Sequence, residues 1–156
     1  MWAAYRGHGP VVQYLVSNGA TLDGVSKNGS SALISSSYKG HLSVVGYLVQ
    51  VGADVNRQNG MGWTALMCAC RNDHLEVVRY LVSVGADMNR RDKSNKTALM
   101  RAQARGQTAV VELLLSAGAV AADDGQQAGN APLSADDADA HADPFTYYEY
   151  AGASTI

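Results

Sequence analysis

The dipeptide Gly-Ala occurs at 19–20, 52–53, 85–86 and 118–119, a constant step of 33 residues. The same interval separates Gly7-His8, Gly40-His41, Asp73-His74 and Gly106-Gln107. It also carries Ser31-Ala32-Leu33 onto Thr64-Ala65-Leu66 and Thr97-Ala98-Leu99. Coincidences on this scale at one period identify an internal repeat, in which each unit buries its apolar face on its neighbours.

The physics of one unit is readable. "TALMCACRNDH" places a Thr before an apolar run, the signal of a side-chain N-cap on a short helix. Small residues such as Ala69 and Cys70 let neighbouring helices approach. "HLEVVRYLVSVGAD" puts apolar residues at 77, 78, 81 and 82, the stripe of a second helix. Gly85 then supplies a C-terminal cap, because glycine enters the left-handed region at least cost. Connectors such as "NRQNGMGW" are polar and Gly/Asn-rich and read as turns. Pro10 falls in the first turn of its helix, where its missing N–H is harmless.

Residues 59–89, "NGMGWTALMCACRNDHLEVVRYLVSVGADMN", match most structural slots of the ankyrin-repeat unit, and the chain resembles that family over at least residues 1–119. It departs from the family at "TAL", where Ala replaces Pro, and at Ile34, Met67 and Met100, which replace a His that ties the helix start. The resemblance implies an all-α repeat solenoid of stacked helix-turn-helix units with projecting β-hairpin loops. It also implies a concave binding surface made by loop tips and inner helices. The repeat boundaries expected are a partial first copy at 1–22, then 23–55, 56–88 and 89–123. Met1 falls midway through an inner helix, so the first copy lacks its loop and leaves a helix pair open to contact, whether with an upstream segment or a second chain.

Residues 124–156 are read as a degenerate acidic capping copy, with the frame shifted by one residue. Gly118-Ala119 lands on Gly152-Ala153, Thr97-Ala98-Leu99 on Ala131-Pro132-Leu133, and Gln107 on His141. Asp136, Asp137 and Asp139 suit the polar outer face of a terminal repeat. The alternative is a disordered acidic tail.

A chain of 156 residues with 47% hydrophobic and 17% charged content suits one compact domain. No apolar run nears the roughly 20 residues of a membrane span, and the start lacks a signal-peptide layout. Cys68 and Cys70 are too few and too close for a disulfide framework, which favours an intracellular setting, cytoplasmic or nuclear. Two apart on a helix, they point to different sides, one toward the core and one toward the groove, and share no metal easily. The histidines 8, 41, 74 and 141 mark a structural slot rather than a metal or catalytic set. The tyrosines at 14, 47 and 80 read as outer-helix packing. All 12 Lys and Arg lie in residues 1–119, giving that part +5, while residues 120–156 carry −7.

Stacking aligns equivalent positions into ladders. One inner-helix slot reads Arg6, Lys39, Asn72, Arg105. The slot before it reads Tyr5, Tyr38, Arg71, Ala104, and another reads Ser35, Cys68, Arg101. Met61, Trp63, Lys93 and Lys96 stand in the loops. These residues are expected to form a basic groove with aromatic flanks, densest over 90–105, where Arg90 and Arg91 add to it. Trp63 is expected to be its exposed anchor, since Trp and Arg dominate interface energies. The alternative is that Trp63 folds over its own loop as packing.

The function expected is non-enzymatic protein recognition, with a partner segment rich in acidic and apolar residues and without cofactor or metal. No nucleophile–base pair, metal set or phosphate loop is present to support an enzyme. Nucleic-acid binding is disfavoured, because +5 beside −7 is not a strongly basic footprint. The runner-up is a self-associating scaffold fragment that uses the incomplete first copy.

Overall fold

The computed structural model describes residues 1–120, which form eight helices in four antiparallel pairs. The pairs are α1 Trp2–Tyr5 with α2 Gly9–Ser17, α3 Ala32–Lys39 with α4 Leu42–Gln50, α5 Ala65–Arg71 with α6 Leu75–Ser83, and α7 Ala98–Ala104 with α8 Thr108–Ser116. The inner helices α1, α3, α5 and α7 pack in chain order, as do the outer helices α2, α4, α6 and α8. The readings made for residues 124–156 lie outside the described residues.

Each inner helix from the second onward begins as its sequence requires. Ser31, Thr64 and Thr97 are extended, and their hydroxyls accept from the N–H of Ile34 (3.3 Å), Met67 (3.2 Å) and Met100 (3.3 Å). A cap of this kind is worth about 1 kcal/mol. Where the family places a His after "TPL", Ile34 and Met67 are fully buried, so those departures add apolar core.

Gly-Ala is explained at the ends of the outer helices. Gly85 takes φ +84° and its N–H reaches Val82 O, while Ala86 N–H reaches Leu81 O at 3.0 Å. This pair of bonds satisfies two carbonyls that the helix leaves open and turns the chain back toward the core. Val44, Val45 and Leu48 of α4, and Val77, Val78 and Leu81 of α6, are the buried stripes, each large side chain stabilising by roughly 1.5–3 kcal/mol.

The recurrent His residues bind one unit to the next. His41 Nε2–H donates to Tyr5 O at 2.9 Å, and His74 Nε2–H to Tyr38 O at 3.0 Å, each reaching back 36 residues to the end of the preceding inner helix. Gln107 does the same in the fourth pair, with Nε2–H to Arg71 O at 2.8 Å. Both imidazoles lie over a left-handed glycine. A Cβ on Gly7 would stand 2.6 Å from the His41 ring, and one on Gly40 2.5 Å from that of His74. In the third copy the left-handed position is Asp73 at φ +59°, and there the residue reaching back is Gln107 rather than His.

The loops carry no strand among the described residues. Each is a tight turn closed by two backbone bonds at 2.8–3.0 Å: Ser26 N–H to Ser30 O with Gly29 N–H to Ser26 O, Asn59 N–H to Trp63 O with Gly62 N–H to Asn59 O, and Asp92 N–H to Lys96 O with Asn95 N–H to Asp92 O. Neighbouring tips are joined by Gly60 N–H to Asn28 O (2.8 Å) and Lys93 N–H to Met61 O (3.1 Å). Two expectations are corrected. Cys68 and Cys70 are both buried, because α5 is covered by α3 on one side and α7 on the other. Tyr14 is 68% exposed, whereas Tyr80 packs across the outer helices and donates its hydroxyl to Gly46 O.

Candidate functional site

The inner-helix ladders and loop tips bring most of the expected residues into two clusters, one toward each end of the array. At its first end Trp2 and Tyr5 stack at 5.9 Å with planes 20° apart, and the Arg6 guanidinium lies 4.7 Å from the Trp2 centroid. Lys39 Nζ stands 4.7 Å from the Tyr5 ring and 5.5 Å from that of Tyr38, so one ammonium bridges two copies. Such contacts contribute about 0.5–1 kcal/mol where exposed. Tyr5 is buried beneath these neighbours and offers little face of its own. Trp2, which the ladder reading passed over, is 42% exposed. Its signal was available: one step back from Ser35, Cys68 and Arg101, the same slot is Trp2.

The second end is built around Trp63. The expected exposed anchor is corrected, since Trp63 is only 6% exposed. Asn59 Oδ1 accepts from Trp63 N–H at 3.0 Å and from Met61 N–H at 2.9 Å, which folds the loop and lays the indole inward. Two guanidiniums share its ring, Arg101 at 4.6 Å from the centroid and Arg71 at 5.1 Å. Trp63 is therefore packing for two arginines.

Arg101 is held by a residue that the sequence reading missed. Its Nε and a terminal nitrogen donate to Asp92 Oδ2 at 2.9 and 2.6 Å, with side-chain exposures of 11% and 0%. Asp92 Oδ1 meanwhile accepts from the N–H groups of Ser94 (2.9 Å) and Lys96 (3.0 Å), organising the fourth loop. A buried carboxylate needs this compensation. The signal was again periodic. The loop slot reads Ser26, Asn59, Asp92, and the slot nine further on reads Ser35, Cys68, Arg101, so charge enters both in the same copy.

The basic cluster over 90–105 is accordingly divided. Arg90 pairs with Asp87 at 3.5 Å, and Arg91 donates to Asn95 O at 2.9 Å within its own loop. Lys93, Lys96 and Arg105 are exposed and Arg71 is half-buried, and no carboxylate of the described residues pairs with any of the four. Burial pushes the Arg71 pKa down, the neighbouring Arg105 adds to this, and Tyr38 opposes it. Met61 stands beside Lys93 at the tips and is 53% exposed.

Both thiols and two of the imidazoles among the described residues are engaged by the fold. Burial raises the Cys68 thiol to about 12 and the Cys70 thiol further, which keeps both protonated and unreactive. His41 and His74 are committed to backbone carbonyls. Among the described residues no helix is long and apolar enough to cross a membrane.

A model of ankyrin repeats (3 copies) matches residues 1–59 and 54–124. The chain belongs to the ankyrin-repeat family. Ankyrin repeats generally mediate protein–protein interaction, and the family is typically non-enzymatic. A comparison of this ankyrin-repeat chain with curated proteins finds no match.

Proposed function

We propose that the chain is a non-enzymatic interaction module that takes a protein segment rich in acidic and apolar residues across its inner-helix ladders and loop tips. The observation that carries this reading is the set of four cations, Arg71, Lys93, Lys96 and Arg105, without carboxylate partners among the described residues, with Arg71 over Trp63 and Lys93 beside the exposed Met61. Cations left uncompensated beside an exposed apolar side chain favour a partner of opposite charge with apolar contacts. Tyr38, Lys39 and Arg6 extend the surface toward the first pair. Two free thiols without a bridge fit a reducing compartment.

Selection of random twelve-residue peptides on the immobilised protein tests the reading. Recovered peptides enriched in Asp and Glu with interspersed apolar residues are expected, and their binding weakens as salt rises. Neutral or basic winners, or peptides that bind Lys93→Gln/Lys96→Gln/Arg105→Gln as well as wild type, would sink it. A second reading, self-association, is favoured by the exposed Trp2, Val11, Tyr14 and Leu15 of the first helix pair. It requires a weight-average mass that rises with concentration in sedimentation and falls back in Trp2→Ser/Leu15→Ser.

A further inference from the structure

We infer that Arg71 and Arg105 form a two-guanidinium seat for one Glu or Asp carboxylate of the partner, built by a break in the aromatic ladder. This rests on the interaction reading above and assigns its most specific contact. In the first two copies the slots run Tyr5, Tyr38 and Arg6, Lys39, and the Lys39 ammonium sits over both tyrosine rings. Two copies further along, Arg105 takes the place of Lys39 and Arg71 the place of Tyr5, while Ala104 stands for Tyr38. A cation that met aromatic faces now meets another cation. The ladder register that sets Lys39 over Tyr5 sets Arg105 beside Arg71, and after burial the Arg105 charge is what most lowers the Arg71 pKa, with Arg101 adding to it.

Four of the other six arginines are paired with a carboxylate, while Arg6 lies over Trp2 and Arg91 donates to Asn95 O. Arg57 has Asp23 at 3.2 Å, Arg79 has Glu76, Arg90 has Asp87, and Arg101 has the buried Asp92. Arg71 and Arg105 have no such partner among the described residues. Local conflicts that a fold leaves in place are where binding sites are expected. The Trp63 ring also holds the Arg71 guanidinium at 5.1 Å, so part of its rotamer freedom is already lost before a ligand arrives. A carboxylate is the anion that the array itself accommodates, as Asp92 on Arg101 shows, and the planar fork of a guanidinium matches it. Arg101, committed to Asp92, is not part of the seat.

The test follows the arginine Nε–Hε resonances of the full chain by NMR during titration with N-acetyl-glutamate N-methylamide. Its glutamine and phosphoserine analogues are titrated beside it. Saturable shifts at Arg71 and Arg105 are expected with the glutamate compound, with Arg79 and Arg101 unmoved and no response to the glutamine compound. Arg71→Tyr, which restores the residue of the first two copies, is expected to raise the urea midpoint while weakening the titration at least about tenfold. Arg105→Asn, the residue of the third copy, is a second variant with the same expected loss. Uniform shifts at all arginines, tighter binding of the phosphoserine compound, or undiminished titration in the folded variants would overturn the seat. Acidic peptide selection surviving in Arg71→Tyr would overturn the seat alone. Saturation by the glutamate compound with no acidic peptides selected would overturn the broader interaction reading alone.

Discussion

Gln107→His is expected to destabilise this protein as it stands and to stabilise it once Asp73 is glycine. At the two equivalent junctions the imidazole lies where a Cβ on the preceding left-handed residue would be, 2.6 Å from His41 and 2.5 Å from His74. Asp73 has that Cβ, and Gln107 reaches Arg71 O without placing a ring over it. Forcing the ring in overpacks the junction, at a cost of about 1–3 kcal/mol. Asp73→Gly alone relieves about 1–2 kcal/mol of left-handed strain, offset by about 0.4–1 kcal/mol of added unfolded-chain entropy. In the double variant the ring has room, the bond to Arg71 O is kept, and the buried Gln107 Oε1, which has no hydrogen-bond partner, is gone. An orphaned polar atom of this kind costs about 1–3 kcal/mol. Urea denaturation of the four proteins, with unchanged m-values, measures the cycle. A coupling energy of at least about 1 kcal/mol with reversal of sign is expected, whereas additivity within about 0.5 kcal/mol would refute the steric argument.

Three further outcomes are expected. Ser37→Ala should stabilise by about 1 kcal/mol, because the Ser37 hydroxyl is buried without a hydrogen-bond partner; a loss of stability in urea melts would show that it has one. Asp92→Ala should cost about 3–5 kcal/mol, since it strands Arg101 and opens the fourth loop; a thermal midpoint within error of wild type would contradict the buried pair. Stability should also fall as pH rises above the ordinary thiol value of 9.0, because the unfolded thiols ionise while Cys68, raised to about 12, and Cys70 stay protonated. Each thiol contributes at most about 1.4 kcal/mol per pH unit. Urea melts of wild type and Cys68→Ala/Cys70→Ala at pH 8 and pH 10 should therefore diverge by as much as about 3 kcal/mol, and parallel behaviour would place the thiols in water.

What the chain states outright is whatever repeats. The helix starts at Ser31, Thr64 and Thr97, the turns at Gly52 and Gly85, and the buried stripes of α4 and α6 are local requirements of backbone geometry. One copy checks another, so the architecture was legible throughout the described residues. The strandless loops and the doubly buried cysteines were not. Each loop closes through a pair of backbone bonds around a left-handed Gly29, Gly62 or Asn95 and extends no ladder beyond them, and the cysteines are covered by helices on both sides that a one-helix reading cannot see.

The site divides in the same way. Its members were recoverable, because ladders follow from the period alone. Which of them are buried or already paired was decided only when the copies stacked. Asn59 turned Trp63 inward, Asp92 claimed Arg101, and Arg105 was left against Arg71 where Lys39 had met two tyrosines. Periodicity determines the backbone, since each unit obeys the same local rules. Charge compensation depends on distances between side chains of different units, and those exist only in the folded array.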